Sequence, residues 1–327
     1  MASIINPSNH IKHTLRRYHV VGRDGAKADT RLDDRTASRV HGIFEWTGKD
    51  WQIRDHSRNG IWLNGTKVRA CEPVPLSTND NLQFGSPDSS IWQLRDASRP
   101  RSLLLGMHGE SDMPLENYQF LPDDKAPHWV IFYSRTHHTW VYSGLLDTNV
   151  SVQERPLEHG QTIACLGRSW RFFMAEPGQS TELFPPVEKQ LSEFEFLFDL
   201  SLDEESTQLR LCHAEEVLDL GERSHHYLLL HLARLRAEQA RAGIDYKSQG
   251  WIDNDTLARD LGIELSHVNI LIHRARKQIA ERLWPRIEPD QLVERRKGRM
   301  RIGVTNFKIF KGETLTDELP VQGLNAS

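Results

Sequence analysis

Three short segments near the N-terminus carry side chains that could hold an anion. They are GRDG at 22–25, SRVH at 38–41 and DHSRNG at 55–60, and together they supply guanidinium, hydroxyl and amide groups. The third segment continues through IWL into a second Asn-Gly pair. Asn-Gly is a strong signal for a tight turn, because both residues tolerate positive φ. The local pattern alone therefore predicts two exposed turns, Asn59-Gly60 and Asn64-Gly65, on either side of one short strand.

The order of these segments resembles that of the forkhead-associated (FHA) domain. The pattern Gly-Arg, then Ser-x-x-His, then Asn-Gly covers about the first hundred residues, and its specificity comes from combination and order. The resemblance implies an all-β sandwich over residues 1–97 that binds phosphothreonine peptides. Short β-like runs separated by Gly, Asn, Asp and Pro also favour a sandwich.

A phosphothreonine ligand would explain the residue types, since its phosphate carries about −1.5 to −2 charges and three acceptor oxygens. The resemblance implies phosphate contacts from Arg23 and Ser38, secondary contacts from Arg39 and Arg58, and a bond from Asn59 to the peptide main chain. It implies structural support from Gly22, His41 and Gly60. Ile61 stands where the family usually has Thr, which removes one hydroxyl group. The alternative is an FHA fold that no longer binds phosphopeptides.

The rest of the chain divides by composition. We expect a second β-rich module over 98–175, a Pro-containing linker over 176–192, an α+β domain over 193–303 and a C-terminal tail over 304–327. A weak internal repeat relates PLSTNDNLQFG and SIWQL to PLEHGQTIACLG and SWRFF. The second module is therefore predicted to be a degenerate FHA-like copy that lacks the Asn-Gly site.

Helical periodicity begins in the last third of the chain. A predicted β-hairpin, a long helix, a short helix and an Arg-rich helix precede LVERRKGRMRIGV, which has the pattern of strand, turn at Gly298 and strand. A predicted core stripe on the third helix consists of Val268, Ile272, Ala275, Ile279 and Leu283. This arrangement resembles the winged helix-turn-helix of OmpR-like response-regulator effector domains. The fold class is thus multidomain: an FHA sandwich, a degenerate FHA-like module and an α+β winged helix.

The predicted third helix and wing carry excess positive charge. Residues 265–303 hold ten basic and four acidic side chains in a chain of net charge −4, and a local basic excess is typical of DNA binding. The candidate DNA contacts are Asn269, His273, Arg274, Arg276, Lys277, Arg295, Arg296, Lys297, Arg299 and Arg301. A solvated basic helix and a winged helix that binds protein are the alternatives.

Other classes of protein lack their signatures in this chain. The sequence has no GxxxxGK loop, nucleophile elbow or metal-ligand spacing, so we expect no enzyme, cofactor or metal. Its apolar runs are too short to cross a bilayer, and the N-terminus lacks the apolar core of a signal peptide. We therefore expect a cytoplasmic protein without a membrane partner. Three widely spaced cysteines fit buried free thiols.

The two resemblances together predict a bacterial transcriptional regulator downstream of Ser/Thr kinase signalling. Its expected partners are a phosphothreonine-containing protein, such as a kinase or a kinase substrate, and double-stranded DNA. The alternative is a phosphopeptide-binding adaptor whose winged helix binds protein. Self-association is left open by the sequence.

Overall fold

The structure is a computed structural model that describes residues 1–8, 10–146, 154–175, 189–283 and 287–319. The chain forms two compact units. The first comprises Met1–Glu116 and Glu158–Gly178, and the second comprises Asn117–Leu157 and Gln179–Ser327. Within the described ranges, no helix combines the length and the apolar character that crossing a bilayer requires.

The N-terminal part of the first unit is a two-sheet β-sandwich, as predicted. Its strands are β1 (Ser3–Asn6), β2 (Ile11–Thr14), β3 (Tyr18–Gly22), β4 (Thr30–Arg31), β5 (Gly42–Trp46), β6 (Trp51–Asp55), β7 (Ile61–Leu63), β8 (Thr66–Lys67), β9 (Pro73–Leu76), β10 (Asn81–Phe84) and β11 (Trp92–Asp96). One sheet has the order β2-β1-β11-β10-β7-β8 and the other β4-β3-β5-β6-β9. Strands β5 and β6 alternate buried and half-buried residues, as a half-buried strand requires. Their inward side chains Phe44, Trp51 and Ile53 belong to one apolar core.

Eight strands follow in the middle of the chain. They are β12 (Leu103–Gly106), β13 (Met113–Pro114), β14 (Gln119–Leu121), β15 (Trp129–Ser134), β16 (Thr139–Gly144), β17 (Arg155–Pro156), β18 (Thr162–Cys165) and β19 (Arg168–Phe173). The sheet β13-β12-β19-β18 lies in the first unit, and the sheet β14-β15-β16-β17 lies in the second. The observed division therefore separates two sheets that the sequence placed in one module over 98–175.

The internal repeat corresponds to a repeated strand order. In the sandwich, β1 extends the antiparallel hairpin β10–β11, and in the middle segment β12 extends β18–β19 in the same way. The series β14-β15-β16-β17 likewise has the antiparallel neighbours of β3-β5-β6-β9. This shared order supports the predicted relation between the two β-rich segments.

The C-terminal part contains three helices and eight strands among its described residues. The helices are α1 (Ser224–Arg241), α2 (Asn254–Asp260) and α3 (Leu265–Leu283). The strands are β20 (Glu195–Leu200), β21 (Thr207–His213), β22 (Glu216–Glu222), β23 (Ile252–Asp253), β24 (Val293–Arg296), β25 (Arg299–Ile302), β26 (Phe307–Lys311) and β27 (Thr314–Leu319). Short 3-10 helices span Leu191–Glu193 and Pro289–Leu292. The strands form two sheets, β22-β21-β20-β26-β27 and β23-β25-β24.

The predicted stripe of α3 packs into the core of this unit. Val268, Ile272, Ala275 and Ile279 are buried there, and Leu283 packs against them partly exposed. The strands β24 and β25 pair across a two-residue turn, in which Lys297 and Gly298 have φ of 47° and 77°. Two successive positive φ values match a tight hairpin turn, as the sequence predicted at Gly298.

The predicted tail is part of the fold. Strand β26 pairs in parallel with β20, and β27 continues the sheet at the edge of β26. Phe307 and Ile309 are buried because FKIFK alternates like a half-buried strand. The expectation of a tail from 304 is therefore wrong for residues 307–319, and 320–327 lie outside the described residues. The predicted linker falls at 176–188 outside them as well, while Leu191 is buried in the C-terminal core.

Candidate functional site

Three loops leave the same edge of one sheet of the sandwich. Strand β3 ends where β5 begins, with Val21 opposite Gly42, and β6 ends at Asp55, also opposite Gly42. The loops at 23–29, 32–41 and 56–60 therefore start or end side by side. The residues that the sequence proposed for phosphate binding all lie on these loops. We call Arg23, Ser38, Arg39, Arg58 and Asn59 the anion site.

Main-chain hydrogen bonds hold the first two loops together. The N–H of Arg23 donates to the carbonyl of Ser38 at 2.9 Å, and the N–H of Asp24 donates to the carbonyl of Arg39 at 3.2 Å. This approach requires glycine at position 22, because a Cβ there would lie 2.2 Å from the carbonyl oxygen of Arg39. Gly22 therefore acts by allowing the close approach of two backbones.

The hydroxyl of Ser38 is oriented by the third loop. Its Oγ accepts a hydrogen bond from the main-chain N–H of Arg58 at 3.2 Å, which leaves the hydroxyl hydrogen for an external acceptor. The side-chain nitrogen of Asn59 donates to the carbonyl of Thr36 at 2.7 Å. The amide oxygen of Asn59, on an exposed residue, remains available to a donor such as a peptide N–H.

Three guanidinium groups belong to the site around this hydroxyl. Arg23, Arg39 and Arg58 are exposed, and no carboxylate of the described residues forms an ion pair with any of them. Each is permanently charged and can donate in a fork geometry. The structure thus places one hydroxyl and three guanidinium groups on three neighbouring loops, and these are group types that can donate to a tetrahedral dianion.

His41 links two of the loops from inside the sandwich. The fully buried ring accepts the N–H of Ser38 on Nδ1 at 2.9 Å and donates from Nε2 to the carbonyl of Gly60 at 3.0 Å. Its edge also packs on Phe84, with ring centroids 5.6 Å apart. Because Nδ1 accepts from an N–H, the ring is neutral, and burial lowers its pKa below the usual 6.5. His41 therefore lies where the sequence analysis placed it, as a support beneath the loops.

The turn predicted at Asn59-Gly60 differs from a hairpin. Strands β6 and β7 lie in different sheets, so the segment between them crosses from one layer of the sandwich to the other. Gly60 has a positive φ of 109°, whereas the two-residue turn at Asn64-Gly65 has φ of 50° and 82° and joins β7 to β8. The tight-turn prediction is correct for the second pair and wrong for the first, which belongs to the anion site.

Sequence analysis missed the residues that shape this crossing segment. The buried carboxylate of Asp55 accepts the N–H groups of Ser57 at 2.8 Å and Ile61 at 3.2 Å. The hydroxyl of Ser57 accepts the N–H of Gly60 at 2.7 Å. Asp and Ser two or three residues before a turn commonly bond to the following backbone, so the DHSRNG segment carried a readable signal.

Most of the C-terminal candidates for DNA contact are either buried or bonded to other groups of the protein. Four of them are less than a tenth exposed: Asn269, His273, Arg276 and Arg301. Four more make side-chain contacts within the second unit: Arg274, Lys277, Arg295 and Arg299. Arg296 and Lys297, on the turn between β24 and β25, are exposed and form no ion pair among the described residues.

Two buried arginines, Arg276 and Arg301, and the exposed Arg295 hold the β24–β25 hairpin to its neighbours. Arg276 donates to the carbonyls of Asp290 and Val293, and Arg295 donates to the side-chain oxygen of Asn269. Arg301 pairs with Glu294 at 2.8 Å, and its guanidinium also donates to the carbonyls of Tyr246, Lys247 and Gln249. The expectation that Asn269, Arg276 and Arg301 present themselves to DNA is therefore not met in this conformation, because their polar groups are used internally.

Cysteines and metal-ligating side chains are the other reactive groups of the chain. The three cysteines, all within the described residues, form no disulfide, as expected, but Cys71 is exposed and only Cys165 is buried. Within the described part of the chain, no group of three or more His, Cys, Asp or Glu side chains is placed to hold a metal ion.

Comparison with known proteins supports the assignment of the sandwich. Residues 19–85 match the FHA domain family, so this part of the chain is an FHA domain. The E3 ubiquitin-protein ligase rnf8 of Danio rerio is 35% identical over 52 residues, which is 15% of this chain and 11% of that protein. The chain thus spans about a tenth of the length of this curated relative.

Solved structures are also similar to part of this chain. The N-terminal FHA domain of Rad53p from S. cerevisiae, solved with a phosphothreonine peptide, is 25% identical with a TM-score of 0.26, and the match covers 28% of this chain and 89% of that one. EmbR of Mycobacterium tuberculosis, solved with a low-affinity phosphopeptide, is 22% identical with a TM-score of 0.27, covering 33% and 26%.

Proposed function

We propose that the anion site binds a phosphothreonine on a partner protein, such as a Ser/Thr kinase or a kinase substrate. The observation that carries this proposal is the hydroxyl of Ser38, whose Oγ accepts the N–H of Arg58 and therefore keeps its own hydrogen for an external acceptor. Arg23 and Arg58, on the loops of the anion site, add positive charge, and Asn59 supplies an acceptor for the peptide main chain. Ile61 is buried in the core, so the lost hydroxyl at that position removes no donor from the exposed surface.

The test uses the full chain with an immobilised library of phosphothreonine peptides and the unmodified library. Arg23→Ala and Ser38→Ala should each lower phosphopeptide affinity about tenfold or more, because a hydrogen bond to a charged group contributes about 1.5–3 kcal/mol. Arg69→Ala and Ser77→Ala change exposed residues of the same types outside the anion site and serve as controls. If the Arg23→Ala, Ser38→Ala double variant still prefers the phosphorylated library, the assigned site is wrong.

We further propose that residues 193–303 form a winged helix that binds double-stranded DNA. Helices α1 to α3 followed by the β24–β25 hairpin give the expected order of elements, and Arg296 and Lys297 project from the hairpin turn. Such a turn is suited to phosphate contacts, which position a protein on DNA without reading sequence. The whole chain would then be a cytoplasmic bacterial transcriptional regulator that responds to Ser/Thr phosphorylation.

Salt dependence tests the DNA proposal. The full chain should retain random duplex at low salt, and its affinity should fall steeply as salt rises. Replacing Arg296 and Lys297 with Ala should weaken binding and reduce the slope by about 0.9 for each lost phosphate contact. Replacing Lys49 and Arg69, which are exposed in the first unit, matches the change in charge. Equal effects of the two double variants would contradict a role for the hairpin turn.

One observation favours the alternative, a phosphopeptide-binding adaptor. The outward side of α3 carries the apolar residues Ile270 and Ala280, which pack against another segment of the same chain. Apolar residues on this side suit contact with protein better than contact with DNA phosphates. Duplex retention that is absent at low salt would favour the adaptor, since phosphate contacts are strongest there.

A further inference from the structure

The outward face of α3 is covered by the sheet β14-β15-β16-β17, which we call the cover sheet. Both belong to the second unit. An apolar cluster joins them: Tyr118, Phe120, Val130, Phe132, Val141 and Leu145 pack together with Ala280, and Ile270 packs against the cluster. Helix α3 is thus buried on two sides, by the C-terminal core on one and by the cover sheet on the other.

His273 lies in the centre of this contact. Only 2% of the residue is exposed, and its ring centroid lies 6.2 Å from that of Tyr118 and 5.8 Å from that of Phe132. Burial lowers the pKa of His273 well below the usual 6.5, and the nearby charge of Arg276 lowers it further. A side chain expected to reach bases is therefore enclosed by aromatic rings.

Asp124, on the loop between β14 and β15, contacts two basic residues of α3, Arg274 and Lys277. Both of its carboxylate oxygens accept from Nζ of Lys277 at 2.9 Å, and its main-chain carbonyl accepts from Arg274 at 2.9 Å. Nζ of Lys277 also lies 5.2 Å from the ring centroid of Phe120. A carboxylate and a carbonyl thus take the donors that a DNA phosphate would need.

We propose that the cover sheet and duplex DNA compete for the outward face of α3, so that the conformation described here is closed to DNA. This inference rests on the proposed DNA-binding function. A surface that is available only in a minor open state binds with an affinity reduced by the open fraction. Weakening the cover should therefore raise the affinity of the full chain for DNA.

Asp124→Lys in the full chain provides the test, because it sets a like charge against Lys277 and Arg274. Its side chain is 64% exposed, so the substitution leaves the apolar cluster in place. Glu205→Lys is the matched control, since it makes the same change in charge on the exposed turn between β20 and β21. Two measurements are made: the pKa of His273 by NMR titration, which reports release of the cover, and affinity for random duplex at low salt.

The expected result is that Asp124→Lys moves the His273 pKa toward 6.5 and raises duplex affinity about tenfold over Glu205→Lys. If Asp124→Lys leaves His273 buried, the Asp124→Lys, Phe120→Ala double variant removes the aromatic contact to Lys277 as well. A cover that stays closed in both variants overturns the inference, because the sheet is then a permanent part of the fold.

The outcomes also separate this inference from the function it rests on. Release of His273 without a gain in affinity over the control overturns the inference. If the wild-type chain nevertheless binds duplex through Arg296 and Lys297, the DNA proposal stands alone. If no variant retains duplex at low salt even with His273 released, the DNA proposal fails.

Discussion

At the scale of single residues, the loops of the anion site are held by the side chains of His41, Asp55 and Ser57. His41 ties the N–H of Ser38 to the carbonyl of Gly60, and that carbonyl also accepts the N–H of Gly85 at 3.0 Å. Asp55 and Ser57 fix the segment that presents Arg58 and Asn59. The geometry of the donors is thus set by buried hydrogen bonds, which orient them before a ligand arrives.

Gly22, the last residue of β3, and Gly25, on the loop that follows, give a matched test of how closely the first two loops approach each other. Gly22→Ala places a Cβ against the main-chain oxygen of Arg39, whereas Gly25→Ala meets only a side-chain carbon of Arg31 at 3.5 Å. We expect Gly22→Ala to lower the free energy of unfolding of the first unit by about 1–3 kcal/mol, the usual cost of overpacking. Urea unfolding of both variants measures the difference. A Gly25→Ala variant as unstable as Gly22→Ala would contradict the steric explanation.

At the scale of elements, the strand pair β26–β27 completes a sheet of the C-terminal part. Without β26, strand β20 would lose one of its two neighbours and become an edge of its sheet. Val304, which precedes β26, accepts a hydrogen bond from the buried guanidinium of Arg236, as Ile302 does. We therefore expect residues 304–319 to stabilise the predicted winged helix.

Truncation tests the contribution of this strand pair. A chain ending at Gly303 should unfold at markedly lower urea than the full chain, because buried Phe307 and Ile309 are removed and an unpaired strand edge is exposed. A chain ending at Leu319 keeps both strands and should unfold like the full chain. Equal midpoints for the two truncations would show that β26 and β27 do not stabilise the unit.

At the scale of the whole molecule, buried histidines link stability to pH. Burial lowers the pKa of His19 to about 3 and that of His225 to about 4, and it also lowers the pKa values of His41, His226 and His273. The unfolded chain protonates histidine near 6.5, so below that pH it binds more protons than the folded protein does. The free energy of unfolding should therefore fall as pH decreases from about 6.5 to about 4.

Urea unfolding at several pH values measures this dependence. The histidine contribution should be constant above pH 7.5, where both states hold neutral rings, and stability should fall between pH 6.5 and 5. Carboxylates with lowered pKa, such as Asp96 at about 2, act in a separate and more acidic range. An unfolding free energy that is unchanged between pH 7.5 and 5 would contradict the assignment of neutral buried histidines.

Local sequence patterns were enough to predict the FHA domain and the core stripe of α3, and they proposed the residues of the anion site, which the structure places on three neighbouring loops. These features depend on local order and periodicity: loops at successive strand ends of one sheet converge, and a stripe at helical spacing packs inward. The same local pattern misassigned Asn59-Gly60 as a hairpin turn, because whether a turn joins strands of one sheet or crosses between two sheets is a property of the whole sandwich.

Which basic side chains find a partner within the protein depends on long-range packing, and local sequence patterns did not reveal it. Charge counting treated Arg276, Arg301 and Lys277 alike. In the structure, Arg276 and Arg301 donate to main-chain carbonyls, whereas Lys277 pairs with a carboxylate 153 residues away in the chain. Ile270 and Ala280 on the outward face of α3 pack against the cover sheet, a contact that the sequence analysis did not predict. Helical periodicity records which side of a helix is apolar, whereas the partner on that side depends on long-range packing that no local pattern contains.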